Sequence, residues 1–149
     1  MPLFTTSRKP CARSRSLVKE LVRMVPGSEP LSRGKQSIDS VAEKARQMGF
    51  PLVVVITDRH GNPASMRIMQ VDEAGWQWCK QFTLKSVKLG REFGRVKKPD
   101  ALTIEGETGF AKALGIEAEE SDTTLSATKD TITFFQGGEE VGPRLSLRK

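Results

Sequence analysis

Hydrophobic and polar positions along this chain change period several times, and each change marks an element. Residues 2–6, "PLFTT", form a short apolar run and read as a strand. Helical spacing then takes over: Leu17, Val18, Leu21, Val22, Met24 and Val25 share one broad face. Arg15, Lys19 and Arg23 form an i, i+4, i+8 row on the opposite face. Pro10 suits a first helical turn, and Pro26-Gly27 ends the helix. "PGSEPLSRGKQS" follows as a loop rich in Pro, Gly and Ser.

A second helix is predicted from about Ile38 to Met48, with Ser37 as N-cap and Gly49 just past its end. "PLVVVITD" is a continuous apolar run and predicts a strand covered on both faces. "RHGNP" makes a turn, and "ASMRIMQV" returns with Met66, Ile68 and Gln70 on one side. Trp76–Leu84 and Val87–Phe93 read as further strands or as a strand and a connector, and "GRVKKPD" as a junction between halves. Trp76 and Trp78 share a strand face, which favours core packing for both.

The last third repeats the plan. "ALTIEG" is a strand, "TGFAKALGI" a short helix closed by Gly115, and "EAEESDTT" an acidic connection. "TITFF", "QGGEEVGP" and "RLSLRK" then read as strand, turn and strand. "ARQMGF…VVVITDRHGNPASMRIMQV" matches "AKALGI…DTITFFQGGEEVGPRLSLRK" as helix, Gly, strand, turn and strand, a weak internal repeat. The expected class is α/β, a mixed sheet with helices packed on it. One domain covers residues 1–149, with similar halves near 1–98 and 99–149.

Charge adds a direction to this plan. The net charge of the 149 residues is +6, but it is segregated. Residues 1–50 hold ten Lys/Arg against four Asp/Glu, and residues 101–149 hold five against nine. A basic front and an acidic back suit a polyanion binder with a separate second surface. No apolar run approaches the ~20 residues of a bilayer span, so a soluble, cytoplasmic protein without membrane contact is expected. Cys11 and Cys79 lie far apart in no metal-ligand pattern, so neither a disulfide framework nor a metal site is expected.

Candidate chemistry is thin for catalysis. The chain has one histidine and no tyrosine, and His60 sits in a turn beside Asp58. An RNA-processing enzyme using His60 and Asp58 is the alternative these two residues leave open. No P-loop or GxGxxG pattern occurs, and no cofactor is expected. The segment "TTSRKPCARSRSLVKEL" is different, with five cations and six hydroxyl or thiol residues in seventeen positions. Such a composition suits a transit peptide, yet the preceding strand and the broad apolar face make it an integral helix.

Arg8, Lys9, Arg13, Arg15, Lys19 and Arg23 sit on or just before that helix, with Arg33, Gly34 and Lys35 in the next loop. Arginine's planar fork matches phosphate oxygens, and Thr5, Thr6, Ser7, Ser14 and Ser16 add short hydroxyls for phosphate or ribose. Gly34 allows close backbone approach to a ligand. Glu20 is the helix's only acid, so i, i+4 pairing does not account for its cations. In "GPRLSLRK", Leu145 and Leu147 face inward while Arg144, Ser146 and Arg148 face out, a second candidate set. With few aromatics, contacts to RNA backbone and shape should outweigh base stacking. The acidic 101–149 region also suits a scaffold that docks a basic partner protein.

Four segments resemble, in order, the motifs of the Brix-domain family of ribosome-biogenesis proteins in its short archaeal form. "TTSRKPCARSRSLVKEL" resembles the opening Thr-Thr-Ser-Arg-x-Pro element, and "MVPGSEPLSRGKQS" the Phe-Pro…Arg-Gly-Lys element. "VVVITDRHGNPASMRI" is similar to the strand and turn that follow, and "EEVGPRLSLRK" to the closing Ile-Gly-Pro-Arg-Phe-x-Leu motif. Val25 and Leu145 stand where the family has aromatics, which puts packing at those points in question. The resemblance implies two halves, each like the anticodon-binding domain of class IIa aminoacyl-tRNA synthetases. It implies no enzymatic activity, and binding of ribosomal RNA or pre-rRNA during processing and subunit assembly, together with ribosomal or assembly proteins. Carried onto this chain, the motif positions are Arg8, Arg33, Gly34, Gly142, Pro143 and Arg144.

Overall fold

The first strand, β1 (Pro2–Thr6), is buried along its whole length, and the front of the chain is arranged around it. The computed structural model describes residues 1–90 and 98–148. β3 (Leu52–Arg59) lies parallel to β1, in register from Pro2↔Leu52 to Thr6↔Ile56. On the other edge of β1 a two-residue strand, β2 (Glu29–Pro30), pairs Leu3↔Glu29 and Phe4↔Pro30. The predicted loop is therefore partly a sheet edge. Two residues are too few to show a period, so nothing in the pattern marked it.

Both main helices form where the spacing predicted. α1 spans Ala12–Met24 and buries Ser14, Leu17, Val18, Leu21 and Met24. Its N-cap is Cys11, so Pro10 lies just outside the first turn. α2 spans Ile38–Met48, with the Ser37 hydroxyl accepting from the Ser40 N–H and Gly49 closing it in the left-handed region. The two helices cover opposite faces of the sheet. Val54 and Ile56 of β3 join Leu17 and Leu21 of α1 in one core. Val53 and Val55 join Val41 and Ala45 of α2 in the other. The continuous apolar run of β3 thus records two partners.

β4 (Asn62–Asp72) returns antiparallel after a two-residue turn. His60 (φ +53°) and Gly61 (φ +78°) give that turn the two positive φ values a tight hairpin needs. Met66 and Ile68 enter the α1 core as expected, but Gln70 is exposed, and Met69 and Val71 enter the α2 core instead. The two segments expected over 76–93, as two strands or a strand and a connector, are one strand as far as it is described, β5 (Gly75–Lys88). Register shifts against its neighbours leave Cys79 and Lys85 as bulges, which broke the alternation into two apparent pieces. The end of the expected Val87–Phe93 strand and the start of the "GRVKKPD" junction lie outside the described residues. Trp76 and Trp78 pack half-buried against the α2 core, edge to face, with the Arg67 guanidinium 3.9 Å from the Trp78 ring centre.

The rest of the chain adds β6 (Thr103–Gly106), α3 (Gly109–Ala113), β7 (Thr123–Ala127), β8 (Thr131–Gln136), β9 (Glu139–Glu140) and β10 (Arg144–Arg148). β7 was hidden inside the acidic connection and the residues after it. Thr123, Leu125 and Ala127 point inward, but only Leu125 is large and apolar. One ten-stranded mixed sheet results, ordered β2-β1-β3-β4-β5-β10-β8-β7-β6, with β9 beside β8. With three helices among the described residues, the class is mixed α/β.

The repeat is shifted by one strand from the sequence match. β1 pairs parallel with β3, and β6 pairs parallel with β7. Each is followed by antiparallel neighbours, β4 and β5 in one block and β8 and β10 in the other. The counterpart of "VVVITD" is therefore "TTLSA", not "TITFF". The helices do not follow suit, since Phe110 of α3 and Leu114 just after it enter the α1 core. Val25 and Leu145 are fully buried in that same core, so aliphatic side chains fill both positions. Each such burial contributes about 1.5–3 kcal/mol.

The blocks meet at β5, which changes partner midway. It pairs with β4 from Asp72↔Gly75 to Ser65↔Thr83, then with β10 from Arg148↔Thr83 to Arg144↔Lys88. Among the described residues, only Thr83 has both neighbours in register.

Candidate nucleic-acid interface

The basic helix has two faces with different tasks. Leu17, Leu21 and Met24 anchor α1, while Arg15, Lys19 and Arg23 are all exposed on the far side. Arg15 donates to the Pro10 carbonyl at 3.1 Å, which holds it beside the helix start. Arg8 and Lys9 are exposed in the connection from β1, where Lys9 adopts a φ of +51°.

Arg13 belongs to the fold instead. Its guanidinium donates to the Val87 carbonyl at 2.7 Å, where β5 has run past its pairing with β4. The contact ties α1 to the end of β5 that pairs with β10. Several hydroxyls of the opening segment are likewise committed. Thr5 and Ser14 are fully buried, Thr6 nearly so, and Thr5 Oγ1 donates to the Leu31 carbonyl at 2.7 Å. Ser7 and Ser16 are half-buried.

The loop after β2 is fastened to β1. Leu31 N–H donates to the Phe4 carbonyl at 2.8 Å, extending the β2 pairing. Arg33, only 6% exposed, donates through Nη1 to the Thr6 carbonyl at 2.9 Å and through Nε to the Gln36 carbonyl at 2.8 Å. Burial, and then the neighbouring charge of Arg8, pull its guanidinium below the ordinary arginine value. Arg33 is thus the strut of the loop. Gly34 and Lys35 beside it are exposed, and Gly34 has a φ of +53°, a conformation that favours glycine.

A cleft of about 320 Å³ separates the loop from α1. Arg15, Val18 and Lys19 line one side, and Leu31, Arg33 and Gly34 the other. Two of the basic elements singled out in the sequence therefore face each other. The apolar members of this lining, Pro10, Val18, Pro30 and Leu31, were not foreseen. Their signal was the short pairing of β2, which places Pro30 and Leu31 opposite the helix.

The β10 set is arranged differently. Arg144 makes a bidentate pair with Glu140, both contacts at 2.8 Å, and this raises its pKa further. Arg148 is exposed and borders a different hollow with Lys80, Phe82 and Lys129. Lys80 and Lys129 stand alone in sequence; the β5–β10 pairing brings Lys80 near Arg148, and the β8–β10 pairing brings Lys129.

Asp58 and His60 have different surroundings. Asp58 Oδ2 accepts the Cys11 N–H at 2.7 Å and so caps α1. His60 is exposed at the hairpin tip, and no hydrogen bond joins the two among the described residues.

No family model matches the chain. A curated protein of Aeropyrum pernix, a probable Brix domain-containing ribosomal biogenesis protein, is 30% identical over 169 residues, covering 98% of this chain and 94% of its own. The chain belongs to the Brix-domain family. A Brix-domain protein of the same description from Pyrococcus horikoshii is 36% identical over 94 residues, 63% of this chain and 42% of that relative. Against that relative the Brix match thus spans less than half its length. Two crystal structures share the fold. A probable ribosomal biogenesis protein from Aeropyrum pernix K1 superposes with a TM-score of 0.81 at 29% identity, over 99% of this chain and 95% of its own. Mil, an archaeal Imp4-like protein, gives 0.73 at 28% identity, over 99% and 97%. No described helix of this Brix-domain chain is long and apolar enough to cross a membrane.

Proposed function

We propose that this chain is a non-catalytic RNA-binding factor acting in pre-rRNA processing and ribosomal subunit assembly. One observation carries the reading: Arg15 and Lys19 of α1 face Gly34 and the Arg33-braced loop across a cleft. Cations from two elements converge there, and no acidic residue lines it among the described residues. Arg8, Lys9, Arg15, Lys19, Arg23 and Lys35 supply the phosphate contacts, while Arg13 and Arg33 hold the surface in shape. The relatives' description as ribosomal biogenesis proteins supports ribosomal RNA or pre-rRNA as the polyanion. Arg148, with Lys80 and Lys129, offers a smaller second contact.

Two sequence-contiguous strand blocks support the division into halves near 1–98 and 99–149, and the motif resemblance implies for each a likeness to a class IIa anticodon-binding domain. The acidic connection exposes Glu117, Glu119, Glu120 and Asp122, which suits a basic ribosomal or assembly protein and leaves the cleft free. The decisive experiment is a salt titration with labelled single-stranded RNA. About five engaged phosphates give a log–log slope of roughly −3 to −4. Binding that ignores salt overturns the reading.

A further inference from the structure

Phosphate contacts alone do not explain why the cleft between α1 and the β2 loop is floored with apolar side chains. A surface built only to neutralise a backbone needs exposed cations, and α1 already presents them in its Arg15, Lys19 and Arg23 row. Here Pro10, Val18, Pro30 and Leu31 make a depression of about 320 Å³, with Arg15 and Lys19 at its helical side. That volume lies at the small end of ligand sites, ~300–1,000 Å³. It suits one flat ring with its sugar, and neither a duplex nor a helix enters it.

The walls are also rigid. The loop wall is pinned to β1 by the Leu31 N–H, the Thr5 hydroxyl and the Arg33 guanidinium, at 2.8, 2.7 and 2.9 Å. The helix wall is anchored through Leu17 and Leu21, both fully buried. A prepared apolar slot loses little entropy when a ring enters. The cations beside it then meet the charges that flank such a ring in a nucleic acid.

We propose that this cleft holds a single unpaired nucleotide of the bound RNA. Its base lies against Pro30, Leu31 and Val18, and its flanking phosphates meet Arg15 and Lys19. The inference rests on the RNA-binding reading and adds to it: the protein selects RNA with a base available outside a helix. Aliphatic and proline surfaces in place of aromatic rings make the slot tolerant of base identity.

The test compares two labelled hairpins of equal length, one fully paired and one carrying a single bulged 2-aminopurine. Wild-type protein should bind the bulged RNA about tenfold or more tightly, since burying the apolar face of a base contributes on that order, and the fluorophore should report transfer into the cleft. Leu31→Ala should reduce that preference, read as the ratio of the two Kd values, at least about threefold in a protein whose circular dichroism spectrum is unchanged. With wild-type protein alone, 4-thiouridine at the bulge should crosslink to residues 30–34 or 10–19. Equal affinity for both hairpins, or crosslinks confined to other segments, overturns the slot and leaves RNA binding standing. No binding of either hairpin at low salt defeats the RNA-binding reading itself. Displacement of the bulged RNA by free nucleoside monophosphate near the RNA's own Kd overturns the proposal in favour of a mononucleotide site. Displacement by polyglutamate of equal charge overturns it in favour of an acidic peptide.

Discussion

Two basic regions of this molecule carry similar residues in sequence and differ in what surrounds them. On α1 and the facing loop, Arg15, Lys19, Arg23 and Lys35 are exposed, and Arg15 and Lys19 line a cleft that no described acid lines. On β10, Arg144 is locked in a bidentate pair with Glu140, four residues before it. The lesson is that a cation's availability is decided by its neighbours across the fold. Arg13 and Arg33 make the same point within the basic region, since both donate to backbone carbonyls.

The contrast is most exposed to failure at α1. Reversing Arg15, Lys19 and Arg23 to Glu should weaken single-stranded RNA binding by roughly a hundredfold or more, across sequences, with the circular dichroism spectrum unchanged. Unaltered affinity in a folded protein would remove that face from the interface. A second strike separates support from contact. Arg33→Ala leaves the Thr6 and Gln36 carbonyls without their donor and should cost about 2 kcal/mol in urea denaturation. Its loss of RNA affinity should follow from a loosened loop, so Arg33→Lys should restore only part of the stability. Next comes the capping carboxylate. Asp58→Ala should cost about 1 kcal/mol of stability, and RNA binding should persist, whereas an RNA-cleaving activity lost with Asp58 or His60 would reinstate the catalytic alternative. Smallest of all is β10. Arg144→Ala breaks a half-exposed ion pair worth about 0.2–1 kcal/mol and should change RNA affinity less than about twofold. A loss as large as that of the α1 reversal would erase the distinction between the two regions.

Much of this could be seen in the residues alone, and the exceptions have physical causes. α2 was legible to its ends because Ser37 and Gly49 supply local capping chemistry. β3 was legible as a doubly covered strand because every residue from Val53 to Ile56 is apolar. β7 was lost because Thr123 and Ala127 fill inward positions without a strong apolar signal. β5 was divided in two by bulges that only its partners reveal. The basic row of α1 could be read, since helical spacing is local. The burial of Arg33, the pairing of Arg144 and the gathering of Lys80 and Lys129 around Arg148 depend on strand pairing, which no local pattern encodes.

The partner change in β5 has a mechanical consequence. Where the two blocks abut, the backbone ladder is a seam of five register pairs between β5 and β10. α1 grips the same place, through Arg13 to the Val87 carbonyl and through the Glu20 carboxylate to the Gly90 N–H. A tug on the outer face of α1 is therefore transmitted to the seam, making the helix a lever whose short arm rests on the joint of the molecule.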